Sequence, residues 1–244
     1  MQRVILTRTE EDNARIAPLF REKGVEVISL PMIAIEDIPP DQTILSQFPV
    51  DPLILLTSRN GTERWLLLRR EEEMIRSLSP TGYLCVGERS RDLIQQNEPG
   101  IPVLEIGESG SDLLARLSGR GKALLTQTIL YPCSAERREE MVEGLEKLGF
   151  EVRALPLYRP VLPKKSIEQF RQIHDLVTPD TTIIFFSPSA VEHFFTLWTD
   201  NPSNLHVAAI GQTTAEALRS AGCPLPLTPQ APTLSSLLKI VRNN

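Results

Sequence analysis

The stretch QTILYPCSAERREEMVEGLEKLGFEVRALPLYRPV, residues 127–161, repeats the pattern of residues 1–33, MQRVILTRTEEDNARIAPLFREKGVEVISLPMI. In both, an apolar run typical of a strand precedes a helical pattern, a glycine, a second strand and a Leu-Pro pair. Gly24 matches Gly149 and Pro31 matches Pro156, both at an offset of 125 residues. The constant offset indicates that the two stretches are copies of one structural unit.

Two further blocks continue the repeat in the same order. LILLTSRNGTERW (residues 53–65) matches IIFFSPSAVEHFF (183–195), and CVGERSRDLIQQ (85–96) matches AIGQTTAEALRS (209–220). Strand-like runs alternate with helical patterns throughout, which predicts an α/β fold with parallel sheets. The period is too long for a solenoid. We therefore predict two similar flavodoxin-like domains related by a pseudo-twofold.

Leu30-Pro31 and Leu155-Pro156 each end a strand and lead into another extended segment. Proline cannot continue a helix and biases its neighbour towards extended conformations. We therefore predict two extended linkers, at about residues 30–40 and 155–164, which join the two domains. Parallel sheets bind ligands at the carboxyl ends of their strands, so a cleft between the domains is the expected site.

Composition excludes several classes of function. The formal net charge is -5, and basic and acidic residues are interspersed along the sequence. The sequence therefore shows no cluster of positive charge suited to nucleic acid or an anionic membrane. The three cysteines have unrelated spacings, typical neither of a disulfide framework nor of a metal site. No apolar run is long enough for a signal sequence or a membrane span. We expect a cytoplasmic protein.

Three four-residue patterns in the repeat fit a capping box, in which a side chain three residues into the helix completes the cap. They are Asn60 with Glu63, Ser189 with Glu192, and Thr213 with Glu216. Because capping boxes mark helix N-termini, we predict that Asn60, Ser189 and Thr213 mainly cap helices.

Four neighbouring hydroxyls have no such structural explanation. Ser58 and Ser187 stand at strand ends, and Ser90 and Thr214 fall near the first turns of the helices that follow. Helix N-termini present free N–H groups and a positive dipole end, which suits carboxylates or phosphates. The sequence leaves open whether these hydroxyls bind a ligand or complete the turns.

Two further side chains are candidates for the same edge. Tyr158 lies in the second linker, where a phenol could meet a ligand, although a packed tyrosine is an equal alternative. Arg8 follows the first strand, where a cation would face the cleft unless it is only solvated.

Other chemistries lack their motifs. Neither GxGxxG nor GxxxxGK[ST] occurs, so a nucleotide cofactor is not supported. No GxSxG elbow occurs, and Cys133 has no histidine nearby in sequence. His174, His193 and His206 lack metal-ligand spacing and suit surface or packing roles. We expect no cofactor and no metal.

The chain resembles the uroporphyrinogen-III synthase family. The matching segments follow the family's order along essentially the whole chain: VILTR, LTSRNG, VGERS, LPLYRPV, IIFFSPSAVEHF, AAIGQTTAEALRSAG and APTLSSLLKIV. The resemblance implies a discontinuous α/β domain of residues 1–34 and 165–244, and an inserted α/β domain of residues 40–154.

The resemblance also implies an activity. The family converts linear hydroxymethylbilane to uroporphyrinogen III, inverting the last pyrrole ring, without metal or organic cofactor. Corner hydroxyls and main-chain amides hold the substrate's carboxylates, which implies binding roles for Arg8, Ser58, Asn60, Ser90, Ser187, Ser189, Thr213 and Thr214. The family's linker tyrosine corresponds to Tyr158, the expected catalytic residue. A monomer is expected, with transient contact to the enzyme that precedes it in tetrapyrrole biosynthesis.

Two rival functions remain open. A non-catalytic module that senses tetrapyrroles or carboxylates could share the fold, although retention of Tyr158, Thr213 and Thr214 argues against it. A two-domain binding protein of the periplasmic type would need a signal sequence, which the pattern at the N-terminus does not indicate.

Overall fold

A computed structural model describes residues 2–47, 49–119, 127–137 and 139–242. The predicted domains also include residues 1, 48, 120–126, 138, 243 and 244, which lie outside the described residues.

Strands and helices alternate along the chain. The strands are β1 (Arg3–Leu6), β2 (Glu26–Ser29), β3 (Ala34–Asp37), β4 (Leu53–Leu56), β5 (Gly82–Val86), β6 (Val103–Gly107), β7 (Thr128–Ser134), β8 (Glu151–Val161), β9 (Thr181–Phe185) and β10 (His206–Ala209). The helices are α1 (Glu10–Arg21), α2 (Gln42–Leu45), α3 (Arg59–Glu71), α4 (Glu73–Arg76), α5 (Glu88–Asn97), α6 (Gly110–Ser118), α7 (Glu140–Lys147), α8 (Lys164–Ile173), α9 (Pro188–Phe195), α10 (Gln212–Ser220) and α11 (Leu234–Arg242).

The strands form two sheets, and the repeat is visible in their order. One sheet has the order β10-β9-β1-β2, and the other has the order β3-β8-β7-β4-β5-β6. Strands matched in sequence, β2 with β8, β1 with β7, β9 with β4 and β10 with β5, occupy matching places. The pairings along β10-β9-β1-β2 and along β8-β7-β4-β5-β6 are all parallel. The prediction of an α/β fold with parallel sheets is confirmed.

The chain divides into two compact units. The first unit contains residues 1–35 and 160–244, and the second unit contains residues 36–159. The segments expected to be linkers have regular structure: β3 covers Ala34–Asp37, and β8 continues as one strand from Glu151 to Val161. In the first unit, the Pro31 and Met32 carbonyls accept hydrogen bonds from Ser166 and His193, so this part of the first segment is fixed to its own unit.

The first unit has an apolar core on each face of its sheet. Alternate residues of β1 and β9 point to opposite faces, as expected for strands buried on both sides. One face packs against α1 and α11 through Ile16, Phe20 and Leu237. The other packs against α8, α9 and α10 through a set that includes Phe170, Phe194 and, partly buried, Trp198.

The second unit is built in the same way. Leucines of β4 and β5 pack on one face against α6 and α7. On the second unit's other face, α3 contributes Trp65, which is fully buried and donates from Nε1 to the Tyr83 hydroxyl at 3.0 Å. Tyr83 in turn donates to Glu98, whose carboxylate pairs with Arg69 at 2.7 Å. This polar chain lies at the start of β5, at the opposite end of the strand from the predicted site.

Glycines end matching helices in the two units. Gly24 follows α1 with φ 77°, and Gly149 follows α7 with φ 96°, both in the left-handed region that favours glycine. The repeat predicted that a glycine follows each of these two helices, and this prediction is confirmed. We call Gly24 and Gly149 the glycine stops. Across the described residues, every helix is too short or too polar to cross a bilayer.

Candidate active site

The predicted site residues lie at the carboxyl ends of parallel strands in both units. In the first unit they follow three neighbouring strands: Arg8 follows β1, Ser187 and Ser189 follow β9, and Thr213 and Thr214 follow β10. In the second unit, Ser58 and Asn60 follow β4, Ser90 follows β5, and Tyr158 lies near the end of β8. Each unit thus gathers its predicted residues along one edge of its sheet.

The structure corrects the capping assignment. Ser187 is the N-cap of α9 and its Oγ accepts from the Ala190 N–H at 3.3 Å. Ser58 is the N-cap of α3 and its Oγ accepts from the Gly61 N–H at 3.1 Å. Ser189 and Asn60 lie inside the first turns, so the prediction that they are the N-caps is wrong. The capping-box motif fails because each helix begins two residues earlier than the motif implies.

At the predicted site, helices α5 and α10 begin without a side-chain cap. The N-cap of α10 is Gly211 and that of α5 is Gly87, and neither can offer a side-chain oxygen to the first-turn N–H groups. The prediction that Thr213 caps α10 is therefore also wrong, and Thr213 is exposed in the first turn. The first-turn N–H groups of both helices need acceptors from water or a ligand.

Ser90 and Thr214 occupy the same position in these two helices. Each is the third residue of its helix, and their exposed fractions are 2% and 4%. Within the described part of the chain we find no hydrogen-bond partner for either hydroxyl. Thr62 in α3 behaves differently, since its hydroxyl donates to the Ser58 carbonyl at 2.9 Å.

Tyr158 is held by the second unit. Its backbone pairs with Ser134 of β7, and its side chain is 7% exposed. The phenolic oxygen lies 2.8 Å from the Ser58 Oγ, so the predicted catalytic phenol and a predicted binding hydroxyl are in direct contact. Burial raises the pKa of the phenol, and the hydrogen bond with Ser58 acts in the opposite direction.

Arg8 is engaged by its own unit. Its guanidinium pairs with Asp12 of α1 at 2.9 Å and lies over the Phe186 ring, 5.2 Å from the centroid. Burial of the Asp12 carboxyl opposes ionisation, but Arg8 and Arg15 hold the pKa of Asp12 below its usual range. Arg8 is therefore oriented at the end of β1 and is not freely solvated.

Sequence reasoning missed a second hydroxyl pair in the second unit. The Thr57 Oγ1 lies 2.9 Å from the Tyr131 hydroxyl, and Tyr131 is 5% exposed. The pair borders a cavity of about 580 Å³ whose lining also includes Ser109, Ser111 and Glu140. The signal in the sequence was the polar residue that directly follows each apolar strand, but only the sheet order places Thr57 beside Tyr131.

His174, His193 and the three cysteines take part in packing, whereas His206 is exposed. His193 contacts the Met32 carbonyl, and His174 packs against Trp198 with ring centroids 4.8 Å apart. Cys85, Cys133 and Cys223 are buried free thiols, and burial raises the pKa of Cys133 to about 11. In residues 2–47, 49–119, 127–137 and 139–242, no three His, Cys, Asp or Glu side chains form a group that could hold a metal.

Comparison with known proteins identifies the family. The family model for uroporphyrinogen-III synthase HemD matches residues 14–239. The chloroplastic uroporphyrinogen-III synthase of Oryza sativa subsp. japonica is 27% identical over 98% of this chain and 79% of its own length. The uroporphyrinogen-III synthetase of Helicobacter pylori shares the fold, with a TM-score of 0.65 and 16% identity over 100% of this chain and 99% of that one. A mutant uroporphyrinogen III synthase of Thermus thermophilus does so with a TM-score of 0.64 and 19% identity over 100% and 98%. The chain belongs to the uroporphyrinogen-III synthase family.

Proposed function

We propose that this chain is a uroporphyrinogen-III synthase. It closes hydroxymethylbilane to uroporphyrinogen III with inversion of the last pyrrole ring and loss of one water molecule. The observation that carries the proposal is the Tyr158 phenol at the end of β8, 2.8 Å from the Ser58 Oγ, in a chain that the family model matches over residues 14–239.

The carboxylates of the substrate suit the helix N-termini. Helices α5 and α10 present first-turn N–H groups without side-chain caps, and Ser90 and Thr214 place hydroxyls in the same turns. An N–H group or hydroxyl that meets a carboxylate makes a charge-assisted hydrogen bond, which is stronger than a neutral one. Arg8, Ser187, Ser189 and Thr213 in the first unit, and Ser58 and Asn60 in the second, are the other proposed contacts. Binding carboxylates through N–H groups and hydroxyls does not require a strongly basic protein, which agrees with the net charge of -5.

Tyr158 acts at the first chemical step. As the C–O bond of the hydroxymethyl group breaks, its electron pair leaves with the oxygen, and the phenolic proton of Tyr158 completes a water molecule. The pyrrole nitrogen stabilises the resulting azafulvene cation. An ordinary phenol has a pKa near 10 and is a weak acid, so this assistance is modest.

The remaining steps depend on geometry. The terminal ring attacks through its substituted carbon to form a spiro intermediate, which rearranges and closes with the ring inverted. The proton then lost from carbon restores the aromatic pyrrole and balances the proton given by Tyr158, so the net change is loss of water. Holding several carboxylates at once favours this route over direct closure to the I isomer.

An isomer assay tests the function. Freshly generated hydroxymethylbilane is supplied, the products are oxidised, and the I and III isomers are separated. We expect the III isomer, with Tyr158→Phe turning over more slowly but still selectively because positioning carries most of the catalysis. Production of the I isomer alone, at the spontaneous rate, would contradict the proposal. Binding of the substrate without turnover would instead favour the sensing module.

We further propose that the protein works as a monomer in the cytoplasm and receives its unstable substrate by transient contact with the enzyme that produces it. The three buried free thiols suit a reducing compartment. Sedimentation tests the monomer, and fractionation of cells tests the location. No retention in a pull-down with the preceding enzyme, together with no gain in rate on mixing, would contradict the transfer.

A further inference from the structure

Arg64 of α3 lies against the face of Tyr158. Its guanidinium carbon is 5.1 Å from the centroid of the phenol ring, within the range of a cation–π contact. The Oδ1 atom of Asp37 in β3 lies 2.5 Å from two nitrogens of the same guanidinium, Nε and Nη2. The Arg64 side chain is only 20% exposed, whereas that of Asp37 is 72% exposed. Arg64 is therefore the inner member of this pair.

The Ser58 hydroxyl joins the phenol of Tyr158 to the start of α3. The Ser58 Oγ accepts from the Gly61 N–H at the start of α3, and it lies 2.8 Å from the Tyr158 oxygen. A serine hydroxyl has one proton to donate, and acceptance of an N–H at the positive end of a helix makes that proton a better donor. Donation by Ser58 to Tyr158 would leave the phenolic proton for another acceptor.

We propose that Arg64 and Ser58 are positioning residues for Tyr158: Arg64 fixes the ring, and Ser58 donates to the phenolic oxygen, so that the phenolic proton is directed to the leaving hydroxyl of the substrate. The use of that proton rests on the proposed synthase function. The geometry around the phenol is independent of the synthase function, because Arg64, Ser58 and Asp37 all belong to the second unit, as Tyr158 does.

The electrostatics of the ring agree with this role. As the phenol releases its proton, negative charge develops on a ring that faces a guanidinium and on an oxygen that accepts from Ser58. Burial raises the pKa of Tyr158 most strongly, Ser58 lowers it, the Cys133 thiol raises it and Arg64 lowers it. Tyr131 of β7 is the other titratable group that interacts with this phenol. Arg64 and Ser58 thus both oppose the cost of burial.

A titration of the phenol without substrate tests the geometry. The chain has three tyrosines, so incorporation of 3-fluorotyrosine gives three ¹⁹F NMR signals, and the signal lost in Tyr158→Phe identifies Tyr158. Fluorination also lowers the pH at which phenols titrate, which keeps the measurement closer to neutral pH. We expect the midpoint of the Tyr158 titration to move to higher pH in Arg64→Gln and to stay unchanged in Arg70→Gln. Arg70 lies at the far end of the same helix and bonds to Asn97.

If circular dichroism shows that Arg64→Gln does not fold, the same titration is carried out on Arg64→Lys. Lysine keeps the charge and the aliphatic stem but lacks the planar group that stacks on the ring while binding Asp37. We expect a smaller movement of the midpoint in the same direction. A Tyr158 midpoint equal to that of the unchanged protein in every folded Arg64 variant overturns the proposal, whether or not the protein is a synthase.

Turnover provides the second measurement. Arg64→Gln should lower the rate of formation of the III isomer by up to about tenfold, the loss expected for one cation–π contact. The same substitution should have little further effect in a Tyr158→Phe background, because Arg64 acts through the phenol. If Arg64→Gln lowers the rate by the same factor in the unchanged protein and in Tyr158→Phe, Arg64 does not act through the phenol. That result would overturn the positioning role.

Discussion

Thr214 is 4% exposed as a whole residue, and its hydroxyl has no hydrogen-bond partner among the described residues. If it binds substrate, Thr214→Val should lower kcat/KM by roughly tenfold, the effect of about one charge-assisted hydrogen bond. The melting temperature should stay the same, because valine fills the same volume and no internal bond is lost. A steady-state assay and a thermal melt on the same preparation check both parts.

Thr62 supplies the matched control at the residue scale. Its hydroxyl is buried and donates to the Ser58 carbonyl, so Thr62→Val should cost about 1 kcal/mol of stability. If Thr214→Val instead behaves like this control and melts early, the Thr214 hydroxyl is structural and the binding role is wrong.

At the scale of the element, the serines that begin α9 can be distinguished by mutation. Ser187→Ala should destabilise the protein by about 1 kcal/mol, since it removes the acceptor for the Ala190 N–H. Ser189→Ala should cost less, because that side chain is not the cap. Chemical denaturation of both variants measures the difference, and a larger loss for Ser189→Ala would restore the capping box read from the sequence.

The start of α1 should make stability depend on pH. The pKa of Asp12 is lowered below its ordinary value of 3.8, so its contribution to stability is complete above that value and is lost as the pH falls through the folded pKa. Asp12→Asn should cost about 0.5 kcal/mol at neutral pH, the magnitude of a partly exposed ion pair. Urea unfolding at several pH values should show this difference disappear in acid. A constant difference across the range would assign the loss to something other than charge.

The elements also show what the sequence could predict. The repeat, the parallel α/β fold and the glycine stops were predictable because each depends on local patterns that recur at a fixed offset. The caps at Ser58 and Ser187 were not, because Ser-Pro-Ser offers two hydroxyls and only the start of the helix decides between them. Contacts such as Thr57 with Tyr131, or Arg64 with Tyr158, join elements far apart in sequence. They follow from the order of the strands in the sheet, which local patterns leave undetermined.

At the scale of the whole molecule, the two glycine stops should contribute similarly to stability. An added Cβ at Gly24 or Gly149 would meet no atom within 4 Å, so substitution tests backbone conformation alone. Gly24→Ala and Gly149→Ala should each cost about 1–2 kcal/mol, since their φ angles are positive. Urea unfolding followed by the fluorescence of Trp198 in the first unit and Trp65 in the second measures both losses.

Gly100→Ala is the control for the two stops. An added Cβ at this position also meets nothing within 4 Å, but the φ angle of Gly100 is not positive. This variant should be neutral or slightly stabilising, because alanine restricts the unfolded chain. If Gly100→Ala lost as much stability as Gly24→Ala and Gly149→Ala, the left-handed conformation of the glycine stops would not be the cause of their destabilisation.

The pairing of β1 with β9 sets an order of events during synthesis. β1 pairs with β2 soon after both are translated, but its other partner β9 follows only after the whole second unit has been translated. The sheet of the first unit therefore remains incomplete on the β9 side of β1 until the second unit, which is continuous in the chain, has been translated. A chain released after residue 159 would carry the second unit together with β1, α1 and β2, whose sheet lacks β9 and β10, and on such a species a chaperone would act.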